Sequence, residues 1–165
     1  MDTKVRPGTL ADLKQITELL NHYIENTHIT FDVTPFTPDQ RVEWFKDHSD
    51  GRRYQLFVAE DSNRILGYAA SGCFREKEAY NTTVEASIAC RPEAVGRGLG
   101  TALYQVLFAA LISHDVHRIV AGIAQPNEAS IKLHEKMGFQ PVGRFSQVGR
   151  KFGKYWDVLW MEREL

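Results

Sequence analysis

Cysteine is scarce: Cys73 and Cys90 are the only two, and they form no C-x-x-C pair. That excludes a disulfide scaffold, leaves no expectation of a metal site, and suits a chain built for a reducing compartment. An excess of charge is missing too. Lys and Arg number 20 against 21 Asp and Glu, a net charge of −1, so there is no basic field to hold nucleic acid and no charged tail. Long apolar runs are also lacking. The longest, VLFAALI at 106–112, is far too short to cross a bilayer, and the opening MDTKVRPGTL has no apolar stretch of the secretory-leader kind. The expectation is a cytoplasmic protein without membrane contact. With no Pro/Gly/Ser-rich linker, internal repeat or low-complexity tract, the 165 residues read as one domain over 1–165.

What is there is periodic. KVRPG alternates and stops at Pro7, which marks an edge strand. Leu10, Leu13, Ile16, Leu20 and Ile24 then recur at spacings of three and four, an amphipathic helix with Thr9 and Asp12 as caps. TPDQRVEWFKDHSDG predicts a shorter helix capped by Thr37, with Pro38 in its first turn and Gly51 as its stop. YQLFVAED and RILGYAASGCF form a hairpin turning at DSN, and TTVEASIAC is a strand ending before Pro92. A helix to about His114 carries Leu103, Leu107, Ala110 and Leu111 on one stripe; HRIVAGIA is a buried strand; a helix runs from Asn127 to Gly138; and a last hairpin turns at Phe152 and Gly153. The order β-α-α-β-β-β-α-β-α-β-β gives an α/β fold, a mixed sheet with helices on both faces.

Between the fourth strand and the third helix lies EAVGRGLGTA, with glycine at 96, 98 and 100. Bare backbone leading into a helix start, where N–H groups are unpaired and partly positive, is suited to an anion, most often phosphate. A nucleotide P-loop would need Lys and Ser/Thr after the last glycine, and Thr101 and Ala102 follow instead. A dinucleotide fingerprint would need glycine at 101 and an acid near the end of the next strand, and Thr101 and the acid-free stretch RIVAGIAQPN stand there instead. The pyrophosphate of coenzyme A remains, beside the plainer reading of a tight turn that binds nothing.

The order of elements, the x-x-G-x-G loop and NEASIKLHEKMGF after the fifth strand together resemble the GNAT superfamily of acetyl-CoA-dependent N-acetyltransferases. FREKEAYNTTVEASIAC, AGIAQPNEASIKLHEKMGFQPVGRF and VGRKFGKYWDVLWM resemble its phosphinothricin acetyltransferase group, which includes methionine sulfoximine and methionine sulfone acetyltransferases. The likeness runs from about Val5 to Trp160 and implies a mostly antiparallel GNAT sheet. One departure is Val95, where such families usually carry Gln or Arg.

Moving an acetyl group from a thioester to an amine requires a neutral amine, a home for the tetrahedral oxyanion and a proton for the departing thiolate. An α-amine is mostly protonated near neutrality, so a base is needed. Glu85 lies five residues before Cys90 on the strand that feeds the glycine loop, on the strand face opposite Val84, Ala86, Ile88 and Cys90. Matching TVE to the family motif makes it the catalytic base rather than a solvent-facing charge. The resemblance gives His134 a catalytic role, either protonating the thiolate or relaying the amine's proton, against the alternative of an inert helix histidine. It puts the oxyanion on a backbone N–H near Ile88. It also assigns the backbone of Ile88 and Cys90 to the pantetheine arm, Gly96, Arg97, Gly98, Gly100 and Thr101 to the pyrophosphate, and Asn127 and Ser130 to the other side of the arm. Asn127 doubles as a helix cap. Phe31, Arg75 and Tyr80 match positions around the acceptor pocket, although Arg75 reads equally as a solvated charge in REKE. Trp44, Trp156 and Trp160 read as core.

The resemblance therefore implies an acetyl-CoA-dependent N-acetyltransferase for the α-amine of a small amino acid or analogue: phosphinothricin, methionine sulfoximine or methionine sulfone. Members of the group are commonly homodimers. Two rivals stay open, the same chemistry on peptide N-termini or polyamines, and a non-catalytic module that binds coenzyme A.

Overall fold

The computed structural model describes residues 3–49 and 51–165. Its frame is a seven-stranded sheet in the order β1-β2-β3-β4-β5-β7-β6. The strands are β1 Lys4–Pro7, β2 Leu56–Asp61, β3 Arg64–Cys73, β4 Thr83–Cys90, β5 Arg118–Ala124, β6 Gln140–Lys151 and β7 Lys154–Glu164. Every pairing is antiparallel except β4 with β5. The helices are α1 Leu13–Asn26, α2 Val42–Asp47, α3 Leu99–Leu111 and α4 Glu128–Lys136.

Strands β2 and β3 read as continuous apolar runs because both of their faces are covered. Leu56, Val58, Ile65, Tyr68 and Ala70 meet Ile16 and Leu19 of α1, with Trp44 and Phe45 of α2 beside them. On the opposite face Phe57, Ala59, Leu66 and Ala69 meet Leu103, Leu107 and Leu111 of α3. Both hairpins turn in two residues with positive φ, Ser62–Asn63 at 52° and 65° and Phe152–Gly153 at 51° and 72°, as the right-handed twist of the flanking strands favours.

The helix starts follow local chemistry and correct the expectations in detail. Leu10 is 57% exposed, because Leu10–Asp12 is a 3-10 turn ahead of α1 and its register differs from that of the helix; Leu19 takes the buried place. Asp12 caps backwards: its carboxylate accepts from the Thr9 N–H at 2.8 Å, the Thr9 hydroxyl at 2.9 Å and the Arg6 guanidinium at 2.7 Å. Before α2, the Thr37 N–H donates to Gln40 Oε1 at 2.8 Å and the Gln40 N–H to Thr37 Oγ1 at 3.4 Å, a reciprocal box. The α-helix itself ends at Asp47, short of Gly51.

The consequential feature is a fork. β4 and β5 pair only where Thr83, Val84 and Glu85 meet Arg118, Ile119 and Val120. Beyond that point β4 stays with β3 and β5 stays with β7 along their whole lengths, so the twist of the sheet carries the two halves apart.

Candidate active site

The fork opens a cleft of about 790 Å³ between Glu85–Cys90 of β4 and Ala121–Ala124 of β5, with the glycine loop, α4 and the segment around Phe31 also in its wall. The ladder fixes which backbone groups face it. The Arg91 N–H donates to Leu66 O at 2.7 Å; in the β3–β4 register this turns the backbone groups of Glu85, Ser87 and Ala89 towards β3 and those of Ala86, Ile88 and Cys90 towards the cleft. Cys90 differs from expectation in one respect, since its carbonyl already accepts from the Tyr23 hydroxyl at 2.5 Å. Its N–H and both backbone groups of Ile88 face the cleft without a β5 partner.

In the glycine loop, Gly96 and Gly98 both have φ of 80°, a left-handed conformation that L side chains adopt only with strain. Gly98 is the N-cap of α3 and its carbonyl receives the Ala102 N–H at 3.1 Å, so the N–H groups of Leu99, Gly100 and Thr101 lie in the unpaired first turn. Gly100 has a different reason to be glycine: a Cβ there would sit 2.8 Å from Leu133 of α4 and 3.6 Å from Ile88. Gly96, Gly98, Gly100 and Thr101 all line the cleft, whereas the Arg97 side chain lies off its wall and is engaged within the chain. Lys132 and Lys136, which sequence reasoning missed, line it instead. Their spacing of four along one helix face was the available signal.

α4 starts as expected. Asn127 caps it by accepting the Ser130 N–H at 3.2 Å, and both residues line the cleft. His134, one turn on, is 2% exposed. Its Nδ1 lies 2.7 Å from the Ser130 carbonyl and its Nε2 2.9 Å from the Tyr104 hydroxyl. A carbonyl only accepts, so Nδ1 carries the proton and Nε2 receives that of Tyr104. Burial pushes the His134 pKa down, against the Ser130 bond, and pushes the Tyr104 pKa up, which leaves a neutral pair. His134 can exchange a proton through the hydroxyl of Tyr104 at Nε2, while Ser130 Oγ stands 3.3 Å from Nδ1 on its other side. Tyr104 went unnoticed in the sequence, although a tyrosine inside the apolar stretch LGTALYQVLFAAL is the visible sign of a buried hydroxyl that needs a partner.

Glu85 stands at the crotch of the fork, half-buried, and lines the cleft. Burial raises its pKa, and the positive charge of Arg75 opposes the rise. Phe31 joins it at the cleft. Arg75 and Tyr80 are placed differently: both are exposed and flank Phe74, Arg75 4.9 Å above its ring and Tyr80 edge-on at 5.6 Å, outside the wall of the cleft within this chain. Phe74 in turn meets Trp160 at 5.9 Å. Trp160, expected in the core, lines the cleft across from Gly122, whose missing Cβ would lie 3.2 Å from its ring. Cys90 is a nearby thiol, but burial pushes its pKa up to about 11, so it stays protonated near neutrality and is no nucleophile. Among the described residues no group of three or more His, Cys, Asp or Glu is placed to hold a metal ion, and no helix is long and apolar enough to cross a membrane.

A forked mixed sheet, a left-handed glycine loop at a helix start and a carboxylate at the fork define an acyltransferase of the coenzyme A type. Residues 5–160 match the family described as acetyltransferase (GNAT) domain, and the chain belongs to it. The phosphinothricin N-acetyltransferase of Streptomyces coelicolor is 53% identical over 166 residues, covering 99% of this chain and 97% of that one. An L-methionine sulfoximine/L-methionine sulfone acetyltransferase of Pseudomonas paraeruginosa is 36% identical, covering 100% and 96%. The crystal structure of a GNAT phosphinothricin acetyltransferase from Sinorhizobium meliloti in complex with acetyl-CoA superposes with a TM-score of 0.93 at 32% identity, covering 100% of this chain and 89% of that one. The protein is an N-acetyltransferase, and its acetyl donor is acetyl-CoA.

Proposed function

We propose that the chain acetylates the α-amine of a small zwitterionic amino-acid analogue, with phosphinothricin, methionine sulfoximine and methionine sulfone as acceptors. The observation that carries the reading is Glu85, a half-buried carboxylate at the fork where the cleft-facing backbone of β4 begins. The relatives' names supply the acceptor class, and the cytoplasm is the compartment that fits an acetyl-CoA-dependent enzyme with unpaired cysteines.

In this reading Glu85 takes the first proton from the ammonium, directly or through a water, and its raised pKa brings it nearer to neutrality, where a base works best. The amine attacks the thioester carbonyl, and the Ile88 N–H receives the oxyanion. As the C–S bond breaks, nitrogen loses its second proton and sulfur gains one. The Tyr104 hydroxyl, held by His134, passes that proton on. Relay is favoured over storage because burial keeps both partners neutral: His134 holds no spare proton and Tyr104 does not give its own up permanently. Gly96, Gly98, Gly100 and Thr101 hold the pyrophosphate by backbone N–H groups, and Arg97, Lys132 and Lys136 add charge around it. The Ile88 carbonyl and the Cys90 N–H pair with the pantetheine arm, which Asn127 and Ser130 flank. Arg75, whose charge is felt at Glu85 from outside the cleft wall, supplies charge for the acceptor's carboxylate, and Phe31 supplies an apolar wall, while Tyr80 stays exposed beside Phe74.

We further propose one domain and a homodimer formed through β6. This strand is an outer edge of the sheet, it is 12 residues long, and Val142, Phe145 and Val148 on it are each more than half exposed, an edge that a free monomer would leave open to pairing.

The test is acetyl transfer to methionine sulfone, followed by thiol release with parent and Arg75→Ala protein. The parent should turn over, and the variant should lose about 1.5–3 kcal/mol in kcat/KM, the range of a charged hydrogen bond. Spermidine or a short peptide as the best acceptor, indifferent to Arg75, would remove the amino-acid assignment.

A further inference from the structure

The segment 27–36, which carries Phe31, is gripped from outside the cleft by the tip of the β6–β7 hairpin. Lys151, only 4% exposed, donates from Nζ to the Thr30 carbonyl at 2.8 Å. Two residues earlier, Gly149 lies directly under the Phe31 ring: a Cβ there would stand 2.1 Å from one ring carbon and 2.5 Å and 2.6 Å from two others. Trp156 stacks on His28 at 4.0 Å and 12°, and its indole N–H donates to the Lys151 carbonyl at 3.0 Å. His28 in turn donates from Nε2 to the Pro126 carbonyl at 3.0 Å. The far end of the segment is held by Asn21, which exchanges two hydrogen bonds with the backbone of Phe36, 2.9 Å and 2.7 Å long. Ile29, Thr30 and Phe31, between these anchors, form cleft wall.

We propose that the hairpin tip sets the acceptor specificity: Gly149 is the seat that fixes how far the Phe31 ring stands into the acceptor end of the cleft, and Lys151 is the positioning residue that locks the backbone carrying it. This rests on the reading of Phe31 as acceptor wall. Neither residue touches the reacting atoms. Gly149 has an ordinary φ, so its lack of a side chain is required by the ring above it and not by the backbone. A buried ammonium directed at a carbonyl 121 residues away holds a loop to a strand where apolar packing alone would let it slide.

The experiment is a double-mutant cycle with methionine sulfone as acceptor, accompanied by crystal structures. Gly149→Ala should push the ring off its seat, raising the acceptor KM by about tenfold or more, as misplacement of a positioning wall does, with acetyl-CoA affinity by calorimetry unchanged. In a Phe31→Ala background the same methyl has no ring to displace, so the effect should vanish. Lys151→Met should raise the same KM and not the acetyl-CoA dissociation constant. An unchanged KM in Gly149→Ala, or a penalty that persists without the ring, would overturn the proposal while leaving the acetyltransferase reading intact. Should the parent turn over no amino-acid analogue, the reading of function fails, and the crystal structure of Gly149→Ala still decides the clamp: a displaced Phe31 ring supports it and an unmoved ring refutes it.

Discussion

At Glu85, folding and chemistry pull in opposite directions. Burial raises its pKa above the unfolded value, so over the window between the two the folded state keeps a proton that the unfolded chain has lost. Whatever stability Glu85 contributes is therefore present below the unfolded pKa and is lost as pH rises through the folded one. Glu85→Gln keeps the shape and removes the buried charge. It should raise the melting temperature near neutral pH while lowering kcat by about two to four orders of magnitude, with the deficit shrinking at high pH where the amine deprotonates unaided. Differential scanning calorimetry and a kcat profile over pH check both halves; a destabilised variant with a pH-independent defect would make Glu85 a structural residue. The hydroxyl of Tyr104 is tested differently. Tyr104→Phe leaves His134 Nε2 buried without a donor, a loss of roughly 1–3 kcal/mol in stability, and should lower kcat more than it raises the acetyl-CoA KM. His134→Ala opens a cavity besides, so the informative number is the coupling: in a relay the second substitution adds little to the kinetic loss caused by the first, whereas additive losses in kcat would separate the two residues.

Among the elements, the glycine loop and the fork divide the work on the cofactor. The left-handed backbone at Gly98 rejects a β-branched side chain on conformational grounds, since a Cβ there meets nothing within 4 Å. Gly98→Val should therefore disturb the start of α3 and weaken acetyl-CoA binding by calorimetry while the far-UV spectrum stays that of the parent; unchanged affinity would refute the phosphate cradle. How legible these elements were differs by cause. The order of elements along the chain, the places of both hairpin turns and the Asn127 cap are written in local sequence, because alternation and turn chemistry act over a few residues. The exposure of Leu10 was not legible because a 3-10 turn precedes α1 and shifts its register, and the early end of α2 at Asp47 was not legible because the chain there tightens to i→i+3 bonds, His48 N–H to Phe45 O and Ser49 N–H to Lys46 O. The site was legible in part. The glycines, and the place of Glu85 on the strand that feeds them, follow from a strand running into a loop, and the role expected of Glu85 came from the family resemblance; but the displacement of Arg75 and Tyr80 from the cleft wall, the entry of Trp160 into it and the partnership of Tyr104 with His134 join segments 30 residues or more apart, which no local pattern encodes.

Taken as a whole molecule, the chain presents a sheet whose two outer edges differ. β1 has four residues and ends at Pro7, and β6 has twelve with apolar side chains exposed along it, so association is expected at β6. Light scattering should give a dimer for the parent and a monomer for Val148→Lys; a monomeric parent would contradict the interface. The central claim is broader than the interface and concerns what the forked sheet is for. It is tested most directly by one measurement, thiol release from acetyl-CoA with methionine sulfone, methionine sulfoximine, phosphinothricin, spermidine and a short peptide supplied in turn. The account requires acceptor-dependent release with the first three and little with the last two. Release favouring spermidine or peptide would contradict the acceptor class, and release that no amine accelerates would contradict acetyl transfer itself.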